Sequence, residues 1–311
     1  MKITILGCGA YGTALANMFL ENKCEIKMWN KFGDIFDNLR QEYQDIYFTA
    51  NLEESLEDCE LLVIAIPVAF IESVAKELAN YYNNQDILIA SKGISIDDGL
   101  LATEILKKEL KTDNLGAISG GTFAVDMKDK KVMGLTLGTN SSSIREKVKE
   151  ALENKYLKIQ YTNDYLGVEI CGAIKNVMAI GFGILDGCGY PESTKFLYLT
   201  EAIYEIKYLI EKLGGESETI MSYAGIDDIM MTCTSTKSRN YTLGNLIGAK
   251  KDIEEINNYK ETTTIEGLGT ALAIHNICKN NNLELNICKI IYDILYNNQD
   301  SNALIEYLEN K

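Results

Sequence analysis

Short apolar runs punctuate the first half of the chain at Lys2–Leu6, Glu25–Trp29, Leu61–Ala65, Ile87–Ala90, Gly116–Ser119 and Val132–Leu137, and each reads as a strand. Between them, Gly12–Glu21, Ala69–Tyr81, Gly99–Leu110 and Ser141–Glu153 carry apolar positions at helical spacing. Strands alternating with helices build β-α-β units. The pattern therefore predicts an α/β fold of Rossmann type, a doubly wound, mainly parallel sheet with helices on both faces.

From Tyr165 onward the periodicity is helical. Asp164–Leu185, Ser193–Leu213, Glu218–Ser222, Ile226–Cys233 and the stretch from Gly269 to the end carry it, with no strand pattern and no internal repeat. The change near Tyr161–Asp164 predicts a sheet domain over 1–163 and an all-α domain over 164–311, and 311 residues suffice for two cores. The run Gly167–Leu185 is apolar enough to raise the question of a membrane span. It carries Glu169, Lys175 and Asn176, each costly in lipid, so a buried helix and no membrane insertion are expected.

Composition narrows the function. A net charge of −15 repels phosphate backbones, and no arginine-rich stretch overrides it, so nucleic acid is not an expected partner. A small anionic substrate would need its own positive pocket. The cysteines Cys8, Cys24, Cys59, Cys171, Cys188, Cys233, Cys278 and Cys288 form no C-x-x-C and sit mostly in apolar runs, which suits a reducing cytoplasm rather than a disulfide scaffold. The chain opens directly on a strand pattern without a basic leader, and a cytoplasmic location is expected. With His275 the one histidine, no multi-histidine metal site is expected, and any acid or base must be another residue.

Gly7-Cys-Gly-Ala-Tyr-Gly12 is G-x-G-x-x-G, placed directly after a strand pattern and opening a helix pattern. Gly7 permits a tight turn, Gly9 lets backbone approach a pyrophosphate, and Gly12 allows helix to pack on strand. The helix N-terminus favours the phosphate charge. A glycine-rich turn can be only a turn; with strand before and helix after, it reads as a site for NAD or NADP. The second strand closes on Trp29-Asn30-Lys31 without the carboxylate that would hold a ribose 2′-hydroxyl and repel a 2′-phosphate. Lys31 could neutralise that phosphate, which allows NADP; a solvated loop lysine is the alternative. Lys92 lies at the carboxyl end of another strand pattern, where ligands sit in open α/β sheets, and is expected in the cleft, with a structural lysine the alternative.

In Ile170-Cys-Gly-Ala-Ile-Lys-Asn-Val-Met-Ala-Ile180, Lys175 and Asn176 interrupt a helix otherwise apolar on every face. Burial lowers a lysine's pKa and suits it to acid/base work near neutrality; a snorkelling lysine is the alternative. Asp228 and Thr232, four apart, would share one helical face, and Asp228 could hold that ammonium. Ser238-Arg239-Asn240 follows in a polar loop, where the guanidinium fork could grip a phosphate, or the loop could be merely exposed.

Gly7–Ala16, Ser91-Lys-Gly93, Ser119–Ala124, Gly167–Gly183, Ala224–Asn240 and Ile265-Glu-Gly267, in that order, resemble the NAD(P)-dependent glycerol-3-phosphate dehydrogenase family along nearly the whole chain. The resemblance implies hydride transfer between NAD(P)H and dihydroxyacetone phosphate to give sn-glycerol 3-phosphate for phospholipid synthesis. It implies that Lys175 is the proton donor and acceptor, with Asp228 and Thr232 beside it, and that Lys92 contacts substrate and cofactor. Gly120 and Thr122 match substrate contacts. Ser238, Arg239 and Asn240 match the substrate-phosphate site, Arg239 also near the cofactor. Ala10, Tyr11, Ala124 and Glu266 match cofactor contacts. A homodimer is left open.

The chain departs from the family at several positions. Tyr11 stands for a tryptophan, Gly121 for a proline, Thr122 for a serine and Asp126 for a glutamate. In Ser193-Thr-Lys-Phe-Leu-Tyr-Leu-Thr-Glu-Ala202, Phe196 replaces an alanine and Glu201 an arginine. These changes leave open a paralogue acting on a related phosphorylated ketone or hydroxyacid, or a non-catalytic dinucleotide-binding regulator. Other two-domain hydroxyacid dehydrogenases separate the key lysine and asparagine by about one helical turn; here Lys175 and Asn176 are adjacent.

Overall fold

In the computed structural model, which describes residues 1–311, the strands are β1 (Lys2–Leu6), β2 (Glu25–Trp29), β3 (Ile46–Thr49), β4 (Leu61–Ile64), β5 (Asp86–Ile89), β6 (Leu115–Ser119), β7 (Met133–Thr139) and β8 (Leu157–Thr162). They make one sheet in the order β3-β2-β1-β4-β5-β6-β7-β8, parallel throughout except at β6–β7. The strand order reverses between β1 and β4. Leu6 pairs with Trp29 on one side and Ile64 on the other, so the turns after β1, β2 and β4 leave the sheet at one edge. That edge, at the switch point, is where an open α/β sheet takes its ligand.

The helices of this sheet unit are α1 (Ala10–Glu21), α2 (Phe36–Glu42), α3 (Leu52–Leu56), α4 (Ile71–Leu78), α5 (Ala102–Leu110), α6 (Ala124–Lys128) and α7 (Ser142–Leu152). Every residue of β4 and β5 is buried, as expected for strands covered on both faces. Ile5, Leu15, Phe19, Met28, Val63, Leu88, Leu135 and Val148 are almost wholly buried in one cluster. Each such side chain removed from water contributes roughly 1.5–3 kcal/mol. The apolar-run reading missed β3 and β8. Both are edge strands: Tyr47 is exposed in β3, and β8 alternates buried with polar positions along Leu-Lys-Ile-Gln-Tyr-Thr.

The all-α part consists of α8 (Tyr165–Gly187), α9 (Glu192–Lys212), α10 (Asp228–Thr234), α11 (Arg239–Gly248), α12 (Ile253–Thr262), α13 (Glu266–Asn281), α14 (Asn286–Tyr296) and α15 (Ala303–Glu309). Asp164 caps α8 by accepting the Gly167 N–H at 2.9 Å. Every residue from Gly167 to Leu185 is buried, so α8 is the axis of this unit. It is long and apolar enough to cross a membrane, yet its apolar window is wholly inside the fold. Helices α9, α13 and α14 approach it through Tyr198, Gly267 and Ile291. The stretch predicted to stay helical from Gly269 to the end breaks at Asn282, whose φ of +51° closes α13.

The chain forms two compact units, Met1–Ser91 with Ala102–Val168, and Lys92–Leu101 with Glu169–Lys311. The segment after β5 thus belongs with the helices rather than with the sheet domain expected over 1–163. Gly99 is pressed against Ile277, Asn276 Nδ2 donates to the Ile96 carbonyl at 3.5 Å, and Lys92 bonds to Asp228.

Candidate active site

The turn after β1 has the geometry its glycines foretold. Gly7 sits at φ +117°, and a Cβ there would lie 2.4 Å from the Ala65 carbonyl oxygen, so only glycine fits. A Cβ on Gly12 would lie 2.2 Å from the Gly7 carbonyl oxygen, which brings α1 hard against the turn. A Cβ on Gly9, by contrast, would meet nothing within 4 Å. Gly9 is the N-cap of α1 and supplies no side-chain cap, and no acidic residue sits in the first turn with Ala10, Tyr11 and Gly12. An uncapped helix N-terminus facing open space beside a glycine fits a pyrophosphate.

Asn30 follows β2 and uses its side-chain Oδ1 to accept the Phe32 N–H at 2.9 Å. Lys31 is exposed, 3.8 Å from Glu77. Gly120 and Thr122 follow β6. A Cβ on Gly120 would meet the Gly134 carbonyl oxygen at 2.4 Å, a packing demand of β7. Thr122 is buried and its N–H bonds to the Gly120 carbonyl at 2.8 Å, closing the turn ahead of Ala124, the first residue of α6.

In the helical unit, Lys175 is 6% exposed and Asp228 wholly buried. Lys175 Nζ donates to Asp228 Oδ1 and, at 3.1 Å, to Thr232 Oγ1; Thr232 in turn donates to the same Asp228 oxygen at 3.2 Å. Lys92 Nζ takes the other oxygen, Oδ2, at 3.0 Å. The i, i+4 spacing on α10 therefore places Asp228 and Thr232 together on the lysine. A π turn over Tyr223–Asp227, with Gly225 at non-helical dihedrals, precedes α10. Burial pushes the Lys175 ammonium down to about 8, with Asp228 pulling it up and Lys92 pushing it down again. Two ammonium groups against one carboxylate leave the cluster an excess positive charge.

A second chain of bonds starts next to Lys175. Asn176 Nδ2 donates to Glu266 Oε2 at 3.1 Å, Asn240 Nδ2 donates to Asn176 Oδ1 at 2.9 Å, and the Gly267 N–H donates to Asn240 Oδ1 at 2.9 Å. It joins α8, α11 and α13. Ser238, Arg239 and Asn240, read from the sequence as a loop, begin a helix instead: Ser238 is the N-cap of α11, its Oγ accepting the Tyr241 N–H at 3.3 Å. Ser238 and Asn240 are buried, while the Arg239 side chain is exposed at the helix N-terminus.

The structure thus gathers Lys92, Lys175, Asp228 and Thr232 in one cluster and links Asn240 with Glu266 through Asn176. Gly7, Gly9, Ala10, Tyr11, Gly12, Asn30, Lys31, Gly120, Thr122 and Ala124 all lie in the sheet unit. Sequence reasoning missed a partly buried group on α8, α9 and α11, in which Asp186 accepts from Lys195, Tyr241 and Asn245. Of the departures from the family, Glu201 pairs with Lys311, and Phe196 packs edge-on against Phe182 at 6.1 Å.

Residues 2–145 match the family model described as the NAD-dependent glycerol-3-phosphate dehydrogenase N-terminus, and residues 164–306 match its C-terminal counterpart. A glycerol-3-phosphate dehydrogenase of NAD(P)+ type from Staphylococcus haemolyticus is 30% identical over 95% of this chain and 93% of its own. One from Listeria monocytogenes is 30% identical over 99% of this chain and 95% of its own. The crystal structure of glycerol-3-phosphate dehydrogenase from Coxiella burnetii superposes with a TM-score of 0.93 at 25% identity, covering 100% of this chain and 99% of that one. Matched over both units by one family's two models, the chain belongs to the NAD-dependent glycerol-3-phosphate dehydrogenase family.

Proposed function

We propose that this chain interconverts dihydroxyacetone phosphate and sn-glycerol 3-phosphate with NAD(P)H, and that it supplies glycerol 3-phosphate for phospholipid synthesis in the cytoplasm. The observation that carries the reading is the Lys175 ammonium, buried on Asp228 and Thr232 and pushed down to about 8. Bound NAD(P)H supplies the hydride that reduces the carbonyl carbon.

Lys175 donates a proton to the carbonyl oxygen as negative charge grows there, and its ammonium stabilises that charge in a site shielded from water. In the reverse direction the neutral amine removes the hydroxyl proton. Asp228 and Thr232 hold Nζ in place, and Lys92 takes the far oxygen of the Asp228 carboxylate. Ser238, Arg239 and Asn240 take the substrate phosphate at the N-terminus of α11, where helix dipole, guanidinium and side-chain donors all favour an anion. Binding energy from the phosphate orients the reacting carbon. Gly7, Gly9, Ala10, Tyr11 and Gly12 receive the dinucleotide pyrophosphate; Asn30 and Lys31 receive its ribose; Ala124 and Glu266 add further cofactor contacts. The burial of the whole apolar window of α8 supports a protein that inserts in no membrane.

The test is oxidation of NADPH and of NADH by the purified protein with dihydroxyacetone phosphate, beside unphosphorylated dihydroxyacetone. Turnover of the phosphorylated ketone is expected to be far faster than that of dihydroxyacetone, which should remain measurable at high concentration. Cofactor binding without oxidation across phosphorylated ketones would favour a regulator and sink the enzyme reading.

A further inference from the structure

A carboxylate near the C-terminal end of α8 has no part in the chemistry above. Asp186 Oδ1 accepts from Lys195 Nζ of α9 at 2.5 Å; Oδ2 accepts from the Tyr241 hydroxyl at 2.5 Å and from Asn245 Nδ2 at 2.9 Å, both on α11. Lys195 is only 8% exposed and also lies 5.8 Å from the centre of the Phe182 ring. Burial pushes the Asp186 carboxyl up, but the bonds from Lys195 and Tyr241 outweigh it and hold the group below the usual carboxylate range. Burial and the bond to Asp186 push the Tyr241 phenol up to about 12, so it stays a donor at any ordinary pH.

The backbones of α8 and α11 meet without side chains between them. A Cβ on Gly183 would lie 2.2 Å from the Tyr241 carbonyl oxygen, and one on Gly187 2.2 Å from that of Asn245. From the other side, a Cβ on Gly244 would lie 2.0 Å from the Ile180 carbonyl oxygen, and one on Gly248 2.0 Å from that of Ile184. The four glycines let the two backbones mesh, and directional polar bonds at the margins of such a seam add to what fixes the roll of one helix on the other. The polar bonds flanking this seam set its register: Asn240 to Asn176 at one end, Tyr241 and Asn245 to Asp186 at the other.

Tyr241 follows directly on Arg239 and Asn240. We propose that Asp186, through Tyr241 and Asn245, is a positioning residue that fixes the roll of α11 on α8 and thereby aims the Ser238-Arg239-Asn240 turn at the substrate's phosphate. Lys195 neutralises the carboxylate so that it can remain charged while half-buried. This rests on the reading of that turn as the phosphate site. The specific consequence is that loosening the hub weakens recognition of the phosphate and leaves proton transfer by Lys175 intact.

Three variants decide it: Tyr241→Phe, Asp186→Asn and, as reference, Arg239→Ala. KM and kcat are measured with dihydroxyacetone phosphate and with unphosphorylated dihydroxyacetone, together with the pH profile. Tyr241→Phe and Asp186→Asn are expected to raise KM for the phosphorylated ketone about tenfold, on the scale of one charge-assisted hydrogen bond. Their kcat/KM for dihydroxyacetone and their alkaline limb should match the parent. If Arg239→Ala raises that KM but neither hub variant does, or if the hub variants lose both substrates equally, the positioning role is overturned and the phosphate site stands. If Arg239→Ala leaves KM unchanged, the phosphate site itself is wrong and the proposal goes with it. Should Asp186→Asn fail to fold, Tyr241→Phe and Asn245→Ala carry the same comparison.

Discussion

Lys92 and Lys175 reach opposite oxygens of a single buried carboxylate, Oδ2 and Oδ1 of Asp228. One negative charge is thereby shared by two ammonium groups, and neither is fully neutralised. The sharing matters because Lys175 is the more deeply buried of the two, so the cost of desolvation and the repulsion from Lys92 both fall on its proton. An enzyme can lower a lysine's pKa by burial alone; here the second lysine adds to it.

The first prediction is a pH profile. If Lys175 is the proton donor proposed above, reduction of the ketone needs its ammonium, so kcat/KM for dihydroxyacetone phosphate should fall as pH rises through about 8. Oxidation of glycerol 3-phosphate needs the neutral amine and should rise through the same pH. Lys175→Ala should remove the limb and lower kcat by roughly 10²–10⁴, the usual worth of a positioned acid, with cofactor affinity nearly intact. The same group shapes stability. Its folded pKa lies below the ordinary 10.5, so the unfolded chain binds the extra proton between about 8 and 10.5, and stability should rise with pH across that window. Near-normal turnover in the alanine variant would remove the lysine from the mechanism.

Asp228→Asn tests the shared carboxylate. The attraction that raises the Lys175 pKa would vanish, while burial and Lys92 would keep lowering it. The alkaline limb should move to lower pH, and turnover near neutrality should fall. Removing one partner of a buried pair also leaves uncompensated charge, at a cost of about 3–5 kcal/mol by urea unfolding. An unmoved limb would show that Asp228 does not hold the lysine's proton.

Gly9 and Gly12 separate cofactor binding from folding. Gly9 has an ordinary φ of −74° and open space where a Cβ would point. Gly9→Ala should keep the parent's stability within about 0.5 kcal/mol while weakening NAD(P)H binding, because the methyl would occupy the place proposed for the pyrophosphate. Gly12→Ala would press its Cβ to 2.2 Å from the Gly7 carbonyl oxygen and should cost at least about 1–3 kcal/mol in stability. Thermal melts with and without cofactor distinguish the two. Equal cofactor affinity in Gly9→Ala and parent would contradict the cradle.

How far the site could be read in advance depended on how local its cause was. Lys175 stood out because a charge inside an unbroken apolar run demands a partner, and Asp228 with Thr232 supplied a spacing that a helix brings to one point. Arg239 was harder. The Ser/Thr-rich approach Thr232–Ser238 makes the stretch resemble a loop, and the helix that follows carries Gly244 and Gly248, which lower helix propensity. They are there for backbone contact with α8, a reason that lies sixty-odd positions away in sequence. The Asp186 hub was hidden for the same reason, its carboxylate lying on α8 and its donors on α9 and α11. Likewise β8 shows only the alternation of a half-exposed edge strand, weaker than the solid apolar runs of β4 and β5.

Asn30 should govern the choice between NADH and NADPH. An acidic residue at the end of β2 would bind the 2′-hydroxyl of NADH and repel the 2′-phosphate of NADPH. Asn30 does neither: it is uncharged, and its Oδ1 is occupied by the Phe32 N–H. Lys31 adds a positive charge whose tie to Glu77, at 3.8 Å between exposed side chains, is worth less than about 1 kcal/mol and easily exchanged for a phosphate. The parent is therefore expected to use NADPH at least as well as NADH. Asn30→Asp keeps an oxygen for the Phe32 N–H, so the turn survives, but adds a negative charge beside the ribose. It should raise KM for NADPH about tenfold or more while changing that for NADH little, and Lys31→Ala should weaken NADPH alone. If both variants shift the two cofactors equally, neither Asn30 nor Lys31 reads the 2′ position.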